Sequence, residues 1–308
     1  MSGSKKVLVT GGAGFIGSHL VDKLAAEGYG VRVLDNLSAG KLENISAYLK
    51  AGCVEFVKGD ICDSAVVAKS LESVDAVVHF AALTSVTFSV EHPDLTFNVN
   101  AAGTQNLVNA CVENAVSKFV FASSCAVYGD PEFLPVNETC KPNPISPYAE
   151  SKFLGEGYCL GVDKRQALRS VVLRFFNVYG PRQGLNDYSG VITRFIDRVR
   201  QNKPLVVYGD GSQTRDFVSV HDIVEAVLAS IRSVNANGQV LNIGSGKPTS
   251  INELAKTILE LAHVELEIRH EKIRAGDIKD SYADISKAKS VLGYKPRVDL
   301  RYGLQALV

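Results

Sequence analysis

The sequence predicts an α/β fold in which a doubly wound parallel sheet is joined to a smaller mixed α/β domain. Three observations carry this. Up to Arg174, short β-branched runs alternate with longer amphipathic stretches. Those runs are apolar almost throughout, as strands buried on both faces must be. After Arg174 the alternation gives way to shorter elements between loops rich in Gly, Pro, Asn and Asp.

Strands are expected over 6–10, 31–35, 54–58, 76–79, 119–123 and 170–174. Helices are expected between them, over about 15–27, 65–71, 94–114 and 147–159. Regular βα alternation of this kind sets the strands side by side in parallel. Beyond the loop 177–189 come a helix over about 191–202, a strand over 205–208 and a Gly209-Asp210-Gly211 turn. A helix over about 222–231, a strand over 240–243 and a helix near 252–262 follow. The expected organisation is a sheet domain over 1–176, to which 214–245 returns, and a smaller domain over 177–308.

The chain has 308 residues, enough for a large core and one or two domains. With 33 basic and 33 acidic residues the formal charge is zero, which disfavours a nucleic-acid partner. No apolar run approaches the roughly 18 residues that span a bilayer, so no membrane partner is expected. The six cysteines, Cys53, Cys62, Cys111, Cys125, Cys140 and Cys159, form no CxxC pair. They read as reduced thiols of a cytoplasmic protein, and no His/Cys spacing suggests a metal.

The first strand runs into Gly11, Gly14 and Gly17, in the order strand, glycine turn, helix. Gly11 suits the sharp turn, Gly14 lets backbone approach a pyrophosphate, and Gly17 lets the helix pack against the sheet. Phe15 and Ile16 open that helix, whose unpaired N–H groups face an anion. Asp35 ends the second strand, 24 residues after Gly11. A carboxylate there accepts hydrogen bonds from both adenosine ribose hydroxyls and repels a 2′-phosphate, so the expected cofactor is NAD in a Rossmann domain. Further candidate cofactor residues are Asn36, Lys41, Asp60 and Ile61, then Phe80, Ala81 and Ala82 after the fourth strand, and Asn100. His79 ends a buried strand and reads as structural.

Tyr148 and Lys152 stand four residues apart in PYAESK, a spacing that puts both on one face of a helix. An ammonium beside a phenol lowers the phenol from its usual value near 10, which would make Tyr148 a general base. Ser124 ends the fifth strand, where ligands gather in a doubly wound sheet, and could bridge the reacting oxygen to Tyr148.

These motifs resemble the extended short-chain dehydrogenase/reductases, and within them the nucleotide-sugar 4-epimerases of the UDP-galactose and UDP-N-acetylglucosamine type. The resemblance covers essentially the whole chain. It is carried by GGAGFIG (11–17), LDN (34–36), GDI (59–61), HFAA (79–82), SSCAVYG (123–129), YAESK (148–152), RFFNVYGPRQ (174–183) and YGDGSQTRDFVSVHD (208–222). It implies that Tyr148 removes the proton of the sugar 4-hydroxyl, with Ser124 positioning the oxygen and Lys152 also binding the nicotinamide ribose. It implies a UDP-sugar substrate, a resident NAD oxidised and regenerated in each turnover, and a homodimer through the helices 94–114 and 147–159. It carries over Asn177, Val191, Arg215, Arg274 and Asp277 as substrate residues. The two arginines suit a diphosphate, which a guanidinium can grip with two parallel bonds.

Ser281 departs from the galactose-restricted members, which carry a bulky Tyr where it aligns. A small residue leaves room for an acetamido group, so N-acetylated hexoses are expected beside plain ones. An alignment slipped by one residue would place Tyr282 there instead. Thr84 stands where some epimerases carry a Lys. A 4,6-dehydratase would need an Asp-Glu pair where this chain has Cys125-Ala126. Asp35 disfavours an NADPH reductase, and the intact Ser124, Tyr148 and Lys152 disfavour a non-catalytic NAD sensor on the same fold.

Overall fold

A computed structural model describes residues 5–164, 168–185, 189–273 and 278–308. Its largest unit is a seven-stranded parallel sheet. The strands are β1 (Lys6–Thr10), β2 (Gly30–Asp35), β3 (Val54–Lys58), β4 (Ala76–His79), β5 (Lys118–Ser124), β6 (Arg169–Phe175) and, after three strands placed elsewhere, β10 (Gln239–Ile243). Their spatial order is β10-β6-β5-β4-β1-β2-β3. The chain winds outward from β1 to β3, crosses back to β4 on the other side of β1, and winds outward again. The carboxyl ends of β1 and β4 therefore flank the switch point, where this class of sheet opens a crevice.

Alternation along the strands divides the core. Val7, Val9, Val33, Val78 and Val120 face Leu20, Val21 and Leu24 of the helix Phe15–Ala26, with Ile223 and Val227 of the helix Val220–Arg232 in the same cluster. Leu8, Leu34, Val77, Phe119 and Phe121 face Leu107, Val108 and Cys111 of the helix Thr104–Glu113, with Cys159 and Val162 of the helix Pro147–Lys164. Each such fully buried side chain contributes about 1.5–3 kcal/mol.

The helix expected over 94–114 is present as three joined pieces, Pro93–Phe97, Asn98–Gly103 and Thr104–Glu113, the middle one a π-helical turn. A π turn inserts one residue and re-aims a side chain. Here that side chain is Asn100, drawn towards Leu83.

The remaining strands are short. In chain order they are β7 (Asn177–Tyr179), β8 (Leu205–Tyr208), β9 (Thr214–Ser219), β11 (Pro248–Ser250), β12 (Ile268–Glu271) and β13 (Asp280–Ser281). β9 is the hub of a second sheet: its first half lies between antiparallel β11 and parallel β13, and its second half pairs with β7. β8 and β12 form a parallel pair. Tyr179, Ile192, Phe195, Leu205, Phe217, Leu254 and Ile258 make a separate core under these strands. Within the stretch 214–245, β9 thus belongs to the smaller sheet, and the chain comes back to the large one with the helix Val220–Arg232 and β10.

Among the described residues, no helix is long and apolar enough to cross a membrane. None of them form a His/Cys/Asp/Glu cluster suited to a metal ion.

Candidate active site

The turn after β1 is built for close approach. Gly11 has φ of +68°, and a Cβ on it would stand 2.8 Å from the Ala81 amide nitrogen. A Cβ on Gly17 would collide with the Gly11 carbonyl oxygen. Gly14 differs: a Cβ there would meet only the Gly11 oxygen, at 3.1 Å. Gly14 is also the N-cap of the helix Phe15–Ala26, and no side chain caps that end. The first-turn N–H groups, including those of Phe15 and Ile16, thus meet an open space beside a glycine, which fits an anionic pyrophosphate.

Asp35 sits at the end of β2, only 6 % exposed. One carboxylate oxygen accepts from the Ala13 amide at 3.0 Å and the other from the Leu37 amide at 2.8 Å. The carboxylate thus ties the glycine turn to β2, and each oxygen keeps a lone pair for a further donor such as a ribose hydroxyl. The Lys41 amide and the Asn44 side chain both donate to the Ala13 carbonyl, at 3.0 and 2.8 Å, and fold residues 36–44 back onto the turn. The Lys41 side chain is exposed. Asn36 donates to Asp60 at 2.8 Å, and Asp60 accepts from the Cys62 amide at 2.9 Å. Burial opposes ionisation of Asp60, but these bonds outweigh it and hold its carboxyl below the usual range. Ile61 is buried beside Gly103.

On the other side of the switch point, Phe80, Ala81 and Ala82 are half-buried, and the Phe80 ring lies 6.4 Å from that of Phe175 on β6. Asn100 is fully buried, and its amide accepts from the Leu83 N–H and donates to the Leu83 carbonyl, both at 2.8 Å. It therefore shapes the segment after β4. His79 lies between Thr10, 2.7 Å from Nδ1, and Thr104, 2.9 Å from Nε2. Thr104 donates to the Asn100 carbonyl, so its oxygen accepts from Nε2–H, and Nδ1 accepts from Thr10. Burial pushes His79 down to about 3, in keeping with a neutral structural residue.

The helix Pro147–Lys164 begins with Pro at its first position, as expected, and the Tyr148 amide is satisfied by the Ser89 hydroxyl at 3.1 Å. Gly155 lets this helix approach β5, since a Cβ there would lie 2.6 Å from the Phe121 ring. The approach brings the Tyr148 phenol beside Ser124 at the carboxyl end of β5. Lys152, only 4 % exposed, donates to the Ala122 carbonyl at 2.9 Å and lies 5.1 Å from the centre of the Phe121 ring. The expected lowering of the Tyr148 phenol is not found. Burial pushes it up to about 12, the neighbouring Ser124 side chain offsetting only part of this. Burial also brings Lys152 down to about 8. Lys152 is turned towards Ala122, and the cost of a buried phenolate outweighs its field.

The substrate candidates come from the smaller sheet. Arg215 on β9 pairs in register with Ser281 on β13, and its guanidinium donates to the Thr214 and Lys279 carbonyls at 2.8 and 3.2 Å. The Cys125 thiol feels the side chains of both Ser124 and Ser281. Ser281 therefore lies near the carboxyl end of β5. Asn177 on β7 donates to the Asp216 carbonyl at 3.2 Å. Val191 opens the helix Val191–Arg200 and lines a cavity of about 630 Å³ with Leu185, Arg194, Phe195, Val206 and Tyr208. Arg274 and Asp277 lie outside the described residues.

Three positions in this region are absent from the sequence-based site. Cys125, pushed up to about 11 chiefly by burial and by Asp216, stays a thiol in the neighbourhood of Ser124 and Ser281. Asp216 is fully buried and accepts from the Ser245 hydroxyl and from the Ser245, Gly246 and Ala283 amides, which fixes the strand leading away from Ser281. Asn44 clamps the glycine turn. Only long-range pairing reveals these roles. No local spacing marks them.

Residues 7–244 match the sequence profile of the NAD dependent epimerase/dehydratase family. A protein of Methanocaldococcus jannaschii, provisionally named UDP-glucose 4-epimerase, is 43 % identical over 304 residues, covering 98 % of this chain and 97 % of its own. A UDP-N-acetylglucosamine 4-epimerase from Methanobrevibacter ruminantium, solved with UDP-N-acetylmuramic acid, superposes with a TM-score of 0.94 at 38 % identity, covering 99 % of this chain and 97 % of its own. A UDP-N-acetyl-alpha-D-glucosaminuronate decarboxylase of Bacillus cytotoxicus is 35 % identical over 317 residues, covering 99 % of this chain and 97 % of its own. With the glycine turn, Asp35 and the Ser124–Tyr148–Lys152 arrangement in place, the chain belongs to the NAD dependent epimerase/dehydratase family.

Proposed function

We propose that this chain inverts carbon 4 of a UDP-hexose through a transient 4-keto sugar. The observation that carries this reading is the placing of the Tyr148 phenol beside Ser124 at the carboxyl end of β5, with Lys152 one turn along the helix, near the switch point where the glycine turn lies. Gly11, Gly14, Gly17 and Asp35 would hold NAD, which would supply reversible hydride acceptance from carbon 4. Tyr148 takes the proton of the 4-hydroxyl and returns it when the opposite face is reduced. Ser124 holds the reacting oxygen. Lys152 lends positive charge as the phenol ionises and binds the nicotinamide ribose. Burial raises the phenol to about 12, so a positive charge nearby, such as that of Lys152, favours its ionisation.

In this reading Arg215 and Arg274 grip the diphosphate, with Asn177, Val191 and Asp277 completing the nucleotide side. Ser281 leaves space for an acetamido group, so N-acetylated and plain hexoses are both accepted. The cofactor stays bound through the cycle, and the protomer pairs with a second copy. The test is incubation with UDP-glucose, UDP-N-acetylglucosamine and UDP-glucuronate without added NAD. The proposal expects C4 epimers of the first two. A uronate losing its carboxyl group as CO2, with no epimer from either neutral sugar, would assign the chain to decarboxylation instead, because a 4-keto group labilises a carboxyl on carbon 5.

A further inference from the structure

The helix Pro147–Lys164 carries a third ionisable group in step with the other two. Glu156 follows Lys152 by four residues, one turn further along the same face. It is 2 % exposed and makes two bonds with Arg174 of β6: Nε to Oε1 at 2.9 Å and Nη2 to Oε2 at 2.6 Å. The Ser123 hydroxyl donates to the same Oε1 at 2.5 Å. Arg174 is itself buried, lies 4.6 Å from the centre of the Tyr128 ring, and leaves Nη1 with no hydrogen-bond partner. One carboxylate thus joins the Tyr148 helix, the residue preceding Ser124, and β6.

Stability is a poor reason for such a pair. Taking two charges out of water is costly, and well-packed apolar replacements of buried pairs are often neutral or stabilising. Position gives a better one. Around Lys152 lie the Ala122 carbonyl, the Phe121 ring, the neutral His79 of β4, and Cys159 and Glu156 of its own helix. Burial works against its ammonium. Of these neighbours, Glu156 is the full negative charge. We propose that Glu156, balanced by Arg174, is a positioning residue that keeps Lys152 charged and holds Ser124 in register with Tyr148. The proposal rests on the catalytic reading of Tyr148 and Lys152.

The test follows Lys152 directly. The NAD-loaded full chain, labelled with 13Cε-lysine, is titrated by NMR, and the Lys152 signal is assigned from Lys152→Met. Glu156→Gln is expected to lower the Lys152 midpoint by about one pH unit, because it removes the carboxylate that favours the ammonium and leaves the Arg174 charge unbalanced. Because Glu156→Gln leaves Arg174 buried and unpaired, Glu156→Gln with Arg174→Met is measured beside it. This neutral pair is also expected to lower the midpoint, and Glu156→Asp to leave it near wild type. In turnover, the fall in kcat with rising pH moves to lower pH by the same amount in both neutralising variants. A folded double variant with an unchanged Lys152 midpoint would overturn the proposal and leave the pair a purely structural joint. The midpoint is read without turnover, so failure of the epimerase reading shows separately, as a wild type that titrates normally and converts no UDP-sugar.

Discussion

Replacing Tyr148 by Phe separates catalysis from folding. Tyr148 is 9 % exposed, and Ser124 is the polar neighbour of its phenol. Phe keeps the ring and its packing. Ser124 still accepts from the Ala126 amide at 3.2 Å. The stability lost is therefore at most that of one hydrogen bond, about 0.5–1.5 kcal/mol. The catalytic loss is larger. A positioned acid/base group contributes typically about 10²–10⁴-fold, or roughly 3–5.5 kcal/mol of barrier. The variant should fold, carry NAD, and turn over UDP-sugar at least about a hundredfold more slowly. The assay is interconversion followed by 1H NMR, with NAD content measured on the acid-released nucleotide. Alkaline melting gives an independent check. Burial raises Tyr148 to about 12, above an unfolded value near 10, so its ionisation opposes folding and its contribution is lost as pH rises from 10 towards 12. The Phe variant should lose less stability over that range than wild type. Activity within tenfold of wild type, with NAD bound, would refute the role given to Tyr148.

Ser281→Tyr should lower the ratio of N-acetylated to plain-hexose activity while sparing NAD binding, because Ser281 lies near Cys125 and Ser124; a substrate panel giving an unchanged ratio would remove it as a specificity residue. His79 is held near 3, well below its unfolded value of about 6.5, so stability should fall by up to about 1.4 kcal/mol per pH unit as pH drops below 6.5. His79→Gln should make that acid limb shallower, and a Tm gap to wild type that stays constant from pH 7 to pH 4 would contradict this. The helices Val86–Glu91, Pro93–Phe97 and Pro147–Lys164 expose Val90, Leu95, Phe153 and Leu154. Phe153→Glu with Leu154→Glu is accordingly expected to shift a dimer to monomer in sedimentation, and a monomeric wild type would refute the homodimer.

The central strands of the parallel sheet were readable because they are buried on both faces, so composition marks them directly along 6–10 and 76–79. The glycine turn was readable because Gly11 and Gly17 answer a steric demand made within a few residues. The smaller sheet was not. β11 and β13 have three and two residues, too few to show a period, and exist through pairing with β9 from distant parts of the chain. The same limit applies to chemistry. Spacing put Tyr148 and Lys152 on one face, but the direction of the Lys152 ammonium depends on Ala122, 30 residues earlier. The phenol's rise reflects burial that no local motif encodes. Cys125 entered the sequence argument as one of six reduced thiols and as the absence of an Asp, and its place near Ser124 and Ser281 depends on residues far apart along the chain.

The most direct measurement follows the hydrogen on carbon 4. UDP-glucose carrying deuterium at C4 is incubated with the purified chain in ordinary water without added NAD, and the products are separated and read by NMR and mass spectrometry. The account predicts the C4 epimer with deuterium retained at C4, because the hydrogen is taken up and returned within one closed site. Deuterium washed out to solvent or moved to carbon 6, or no inverted sugar from any UDP-hexose, would contradict it.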